Sequence, residues 1–241
     1  MIKLINYASR THFQCQKRNT GSALQNGVEF VTNYGYQDLD DDFKAEYAHI
    51  LSDPRGAGLW CWKPYIILKA LLEMAPDDTL IYSDSDIEIT GSVTPLVNML
   101  REHCPEGLMC FRWRPGMLEQ YVTKKDVFIL LDCDHNEAMR KSVHLMSGFH
   151  LWRKTDTTVR FLRDWLHHLK DLRMACDQPS ELGKNWAGFM WHYNDQSVFS
   201  VLTKLYWIRS WRLPSRWEME TQMSDEAGTY PPAILVTDRK D

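Results

Sequence analysis

A chain of 241 residues, 44% hydrophobic and 25% charged, is long enough for one large domain or two small ones with a sizeable core. Its net charge of −4 gives no electrostatic footprint for nucleic acid or an anionic membrane, so neither is an expected partner. No stretch approaches the roughly 18 apolar residues of a spanning helix, MIKLINYASR lacks a signal-like apolar core, and the six cysteines never form a CxxC pair. The expectation is a cytoplasmic protein, or a soluble catalytic piece of a larger one, with reduced thiols.

KLINYAS (3–9) predicts a first strand, followed by a polar, helical stretch through QCQKRNTGSALQN. VEFVTN (28–33) predicts a second strand, and the acidic segment 38–51 a helix. PRGAGLWCWKPY (54–65) is a Gly- and Trp-rich loop; Pro64 then suits the first turn of a helix that is apolar nearly all round and hence buried. Thr79 to Tyr82 form a buried strand that ends in Asp84 and Asp86, and Ile87 and Ile89 resume the apolar pattern.

SVTPLVNMLREH predicts a helix, GLMCFRW (107–113) a strand, and 122–132 a further helix. LMSGFHLWR (145–153) predicts a strand broken at Gly148. Thr155 and Asp156 offer caps for a helix with Val159, Leu162, Trp165, Leu166 and Leu169 on one face. Asn194 is positioned to cap a helix that turns Val198, Val201, Leu202 and Leu205 inward. Strands alternating with helices predict an α/β fold whose sheet is covered on both faces, with one domain over 1–210 and a partly irregular arm over 211–241.

Four segments carry chemistry. Carboxylates leaving a strand end hold a hard divalent cation well, and ligands bind at the carboxyl ends of strands in open α/β sheets; Asp84 and Asp86 meet both conditions or are solvated loop acids. In RGAGLWCWKPY, Gly56 and Gly58 permit close backbone approach and Lys63 offers a point charge to a phosphate, unless Trp60 and Trp62 only plug the core. In WHYNDQSVF, Asp195 falls in the first helical turn, where the helix dipole favours its charge; it suits a general base, a hydroxyl acceptor or a plain stabilising acid. His192 is a candidate metal ligand or a structural histidine. In MSGFHLWR, Gly148 marks a close approach or a bulge.

Taken in order, Y-A-S, R-G-A-G-L-W-C-W-K-P, Y-S-D-S-D, S-G-F-H-L-W and H-Y-N-D-Q-S resemble the metal-dependent GT-A-fold glycosyltransferases, in particular small ones of bacterial surface-polysaccharide and large-virus type. The resemblance covers about residues 4 to 206. It implies a GT-A-like, mixed but mostly parallel sheet with helices on both faces. It also implies a hexosyl- or deoxyhexosyl-type transferase that takes a nucleotide-diphospho-sugar donor, UDP-sugars foremost, and a glycan acceptor, with Mn²⁺ or Mg²⁺ held by Asp84, Asp86 and, as a third ligand, His192. Tyr7, Ala8, Ser9, Arg55, Lys63, Tyr82 and Ser85 are then expected around the nucleotide. Trp60, Ser147, Gly148 and Gln196 are expected around donor sugar and acceptor, and Asp195 as base if the enzyme inverts. Two other readings stand beside it: a haloacid-dehalogenase-like phosphatase, whose Asp nucleophile normally ends the first strand, and a non-catalytic carbohydrate-binding module.

Overall fold

The computed structural model describes residues 1–113 and 116–212 and the backbone of 235–237. The strands are β1 (Ile2–Tyr7), β2 (Phe30–Tyr34), β3 (Thr79–Ser83), β4 (Ile87–Ile89), β5 (Leu108–Arg112), β6 (Phe149–Trp152), β7 (Ser210–Arg212) and β8 (Leu235–Thr237). Five helices of ten or more residues stand among the described residues: α1 (Phe13–Gln25), α2 (Trp62–Glu73), α3 (Thr94–His103), α4 (Asp156–His168) and α5 (Asn194–Leu205).

All five residues of β3 are buried, which is why TLIYS shows no polar alternation: a strand covered on both faces has no side to give to water. The main sheet runs β2-β1-β3-β6-β5-β7, with β1 parallel to β2 and β3, β6 antiparallel to β3 and β5, and β7 parallel to β5. Successive residues feed separate cores. Ile5, Leu80 and Tyr82 pack with α2, α4 and α5, whereas Leu4, Ile81 and Leu151 pack with α1 and α3. The expected α/β architecture, a mixed and mostly parallel sheet between two helical layers, is the observed one.

Element boundaries depart from the patterning where a buried polar contact interrupts it. Segment 38–51 forms a 3₁₀ turn and two short helices instead of one, broken at Tyr47, whose hydroxyl donates to Leu166 O at 3.0 Å. The helix expected over 122–132 begins only at Lys125, because Thr123 is extended and its hydroxyl is held by Glu119. Thr155 caps α4 as expected, through a capping box with Thr158, but the stripe also includes the buried Phe161, while Val159 and Leu166 are half-buried.

Beyond residue 210, β7 adds a strand to the main sheet and β8 pairs antiparallel with β4; the rest of the expected arm lies outside the described residues. All six cysteines are free thiols. No helix among the described residues is long and apolar enough to cross a membrane.

Candidate active site

Two antiparallel steps, β3 to β6 and β6 to β5, bring the carboxyl ends of β1, β3 and β5 to one edge of the sheet, together with the start of β6. Tyr7, Asp84, Trp113 and Gly148 therefore leave the sheet on the same side. The amino-terminal turns of α2 and α5 supply Lys63 and Asp195 there.

Lys63 is the hub. Its ammonium lies 3.1 Å from Asp195 Oδ2, 3.3 Å from Asp84 Oδ1, and 3.2 Å from both the carbonyl and the hydroxyl of Ser147. Burial alone pulls the lysine pKa down, but Asp195 and Asp84 overcome it and hold the group above its ordinary value. Asp195 is pushed up by burial, with Lys63 pulling it back and Asp84 adding to the rise. One ammonium thus serves two carboxylates. Its side chain is 2% exposed: where the sequence suggests a contact to donor phosphates, Lys63 here serves as the internal counter-ion of two carboxylates.

Asp195 is fixed further by the Ser147 hydroxyl, which donates to its Oδ2 at 2.9 Å, and by Trp165, whose indole donates to its carbonyl at 3.1 Å. Gln196 accepts from Ser147 N at 3.2 Å. Tyr82 donates to Asp84 Oδ1 at 2.6 Å, and the proximity of that carboxylate, after burial, raises the phenol pKa. The expected residues Asp84, Tyr82, Lys63, Ser147, Gly148, Asp195 and Gln196 form one connected group. Asn194 does not cap α5 with its side chain; it adopts φ 48° and donates to Ala175 O at 2.7 Å.

Asp84 and Asp86 are the oxygen donors this edge offers to a hard divalent cation. Tyr82 and Lys63 both take Oδ1 of Asp84, whose side chain remains 35% exposed. A Cβ at position 148 would stand 2.8 Å from Oδ2, so glycine keeps that oxygen uncrowded. Asp86 is half-buried and Ser85 buried. Among the described residues no group of three or more His, Cys, Asp or Glu side chains is placed to hold a metal ion. A Mn²⁺ or Mg²⁺ held by Asp84 and Asp86 would need further oxygen ligands beyond these two side chains.

His192 is corrected as a third ligand. Its Nε2 meets Met174 O at 2.7 Å and its Nδ1 receives Lys124 N at 3.4 Å, so both ring nitrogens are committed to backbone. Burial drives its pKa down to about 3, as suits a neutral structural histidine. Arg55 is an exposed partner of Asp177 and makes no contact with this group. The Tyr7 ring is buried and stacks on Trp62 at 3.7 Å, and Ala8 is buried, so a base cannot stack on that ring; Ser9 alone of the three is half-buried. Trp60 packs over Gly56 in a left-handed turn spanning 56–60, in which Ala57, Leu59 and Trp60 all take positive φ. The glycine at 58, at φ 102°, spares that turn one more strained side chain.

The supporting amides were not foreseen. Asn19 on α1 accepts from Asn6 Nδ2 at 2.7 Å and donates to Ser83 Oγ at 2.9 Å and Ile87 O at 2.7 Å, so it ties β1 to both ends of the Asp84–Asp86 loop. Gln16 donates to Asn6, while Ser22 and Asn26 bind the backbone of Ile89. The signal was available: Gln16, Asn19, Ser22 and Asn26 recur at helical spacing where a buried helix face normally carries apolar side chains. Asn19→Leu would strand several of these buried groups and is expected to cost about 2–4 kcal/mol, measured as a lower denaturation midpoint. An unchanged midpoint would show that the amides contribute nothing.

No family model and no curated protein sequence matches the chain. Solved structures do. Mouse xyloside xylosyltransferase 1, in its apo form, superposes with a TM-score of 0.52 at 11% identity, over 91% of this chain and 89% of that one. The apo bifunctional glycosyltransferase WbbM superposes at 0.51 and 10% identity, over 88% of this chain but only 38% of its own length. The fold is GT-A-like, that of glycosyltransferases.

Proposed function

We propose that this chain is a glycosyltransferase that moves a sugar from a nucleoside-diphosphate donor to a hydroxyl acceptor. The observation that carries the reading is the Asp84–Lys63–Asp195 group at the carboxyl edge of a GT-A-like sheet. Asp84 and Asp86 would hold the divalent cation. When bound, it supplies Lewis-acid charge to a diphosphate leaving group without any proton transfer.

The chain's own side chains do the rest. Lys63 bridges Asp84 and Asp195 with one ammonium and fixes their separation. Ser147 and Gln196 lock the mouth of β6 to α5, so Gly148 and Asp195 keep a constant relation to Asp84. Asp195, its pKa raised by burial, is the base that takes the acceptor hydroxyl proton in an inverting reaction. Of the expected nucleotide site, Ser9 is half-buried, whereas Tyr82 and Ser85 are buried like Tyr7 and Ala8. UDP-sugars are the first donors to test and glycans the acceptors.

Asp195→Asn keeps the volume and removes the base. Turnover is expected to fall on the order of 100-fold or more, with donor affinity by calorimetry nearly unchanged. If donor affinity falls in parallel, Asp195 belongs to the donor site instead.

A further inference from the structure

We infer that Arg101 and Arg153 form a pocket for a phosphomonoester group at the edge of the main sheet opposite the candidate active site. The inference goes beyond the transferase reading and shares no residue with it. Trp152 pairs with Leu80, so Arg153, which follows β6, emerges beside the turn that leads into β3. Asp77 sits in that turn, and Arg101 comes from the last turn of α3. These three residues line a cavity of about 360 Å³, a size that suits a small ligand.

Both guanidiniums are anchored yet keep donors in reserve. Arg101 Nη2 donates to Asp77 O at 3.2 Å, and Arg153 Nη2 donates at 3.3 Å to the carbonyl of Cys104, the C-cap of α3. Neither guanidinium forms an ion pair among the described residues. Asp78, the next acid of the turn, accepts from Ala75 N at 3.1 Å. Lys154 adds a third cation beside Arg153 and bonds the carbonyls of Leu72 and Met74.

Nε of Arg153 is buried and has no hydrogen-bond partner among the described residues. A buried donor left without an acceptor is costly. Capping of α3 accounts for one nitrogen of this guanidinium and leaves Nε over. A small turn of the side chain would present Nε and one Nη together, the paired geometry in which arginine takes carboxylates and phosphates. Asp77 then selects among anions. Its carboxylate repels sulfate, which carries no proton near neutrality. A phosphomonoester, with a second pKa of about 6, still carries a proton on part of its population. It can donate that proton to Asp77 while its other oxygens accept from the arginines. A soluble phosphomonoester and a phosphatidic acid headgroup share this chemistry.

Proton–nitrogen correlation spectra of the arginine side chains, recorded at about pH 6 where the monoester is half protonated, test the pocket. Inorganic phosphate, glycerol phosphate and sulfate are titrated into the wild type, Arg101→Gln and Asp77→Asn. The two phosphates are expected to shift the Arg153 Nε–H signal saturably, and sulfate several-fold less. Arg101→Gln is expected to weaken the phosphate response several-fold at an unchanged denaturation midpoint, and Asp77→Asn to raise the sulfate response to that of phosphate. Co-sedimentation with phosphatidylcholine vesicles, with and without phosphatidic acid, separates the sources. Binding that needs phosphatidic acid and Arg101 supports the pocket and assigns the headgroup; saturation by glycerol phosphate without vesicle binding supports it and assigns the soluble ester. No response to any of these probes, equal responses to phosphate and sulfate in the wild type, or a phosphate response untouched by Arg101→Gln overturns the pocket. Stabilisation by nucleotide sugars in Mn²⁺ is expected to be the same in all three proteins, so the pocket and the transferase reading can fail separately.

Discussion

Lys63→Met is expected to destabilise the protein by about 3–5 kcal/mol, the usual result of leaving buried carboxylates without their counter-charge. Asp195 is 3% exposed and cannot recover the loss from water. It would instead take up a proton, since burial and Asp84 already push its pKa upward and Lys63 is what pulls it down. Methionine approximates the length of the lysine stem, so the loss reports charge more than volume. A double-mutant cycle separates the two. Lys63→Met combined with Asp195→Asn is expected to be clearly less damaging than the sum of the single changes. Additive losses would mean that the ammonium and the carboxylate, 3.1 Å apart, do not interact energetically.

The second large effect concerns function. Asp86→Ala removes a half-buried carboxylate at the end of a loop clamped by Asn19. Stabilisation by a nucleotide sugar in Mn²⁺ or Mg²⁺ should disappear. Turnover should fall on the order of 10²–10³-fold, the range typical for losing one strong electrostatic contact to developing negative charge. Wild-type activity that persists in chelator would remove the metal role from both aspartates.

Most of the scaffold was legible because its strands are short apolar runs bounded by polar turns, and its longer helices carry one apolar face. β3 is the clearest case: TLIYS admits no half-exposed reading, and the acids after it stand at a strand end. Asp132 and Asp134, a second D-x-D, follow the helical turn that ends at Leu130 and come nowhere into the polar group around Lys63. Context, not the tripeptide, distinguishes Asp84 and Asp86, since Asp38/Asp40 and Asp40/Asp42 share the same spacing.

Side-chain partners were much less legible. Lys63 reads as a point charge for a phosphate in W-K-P, and only the fold shows that it faces inward between two acids distant in sequence, Asp84 and Asp195. His192 looks like a ligand because it lies three residues before Asp195, yet the backbone at 124 and 174 takes both of its nitrogens. Tyr7 ends a strand where a nucleotide is expected, but Trp62 covers its ring. Each misreading comes from tertiary contacts that local spacing does not encode. The amides of α1 are the opposite case: their periodicity was present in the sequence, and only the habit of reading helix faces as apolar hid it.

The measurement that bears most directly on the central claim is a thermal-shift and calorimetry panel of nucleotide sugars, each with Mn²⁺, Mg²⁺ or chelator. The account predicts that one donor class stabilises the wild type only with metal and fails to stabilise Asp86→Ala. Indifference to every donor, together with glycan binding that ignores metal, would contradict it and leave a carbohydrate-binding module on a GT-A-like fold.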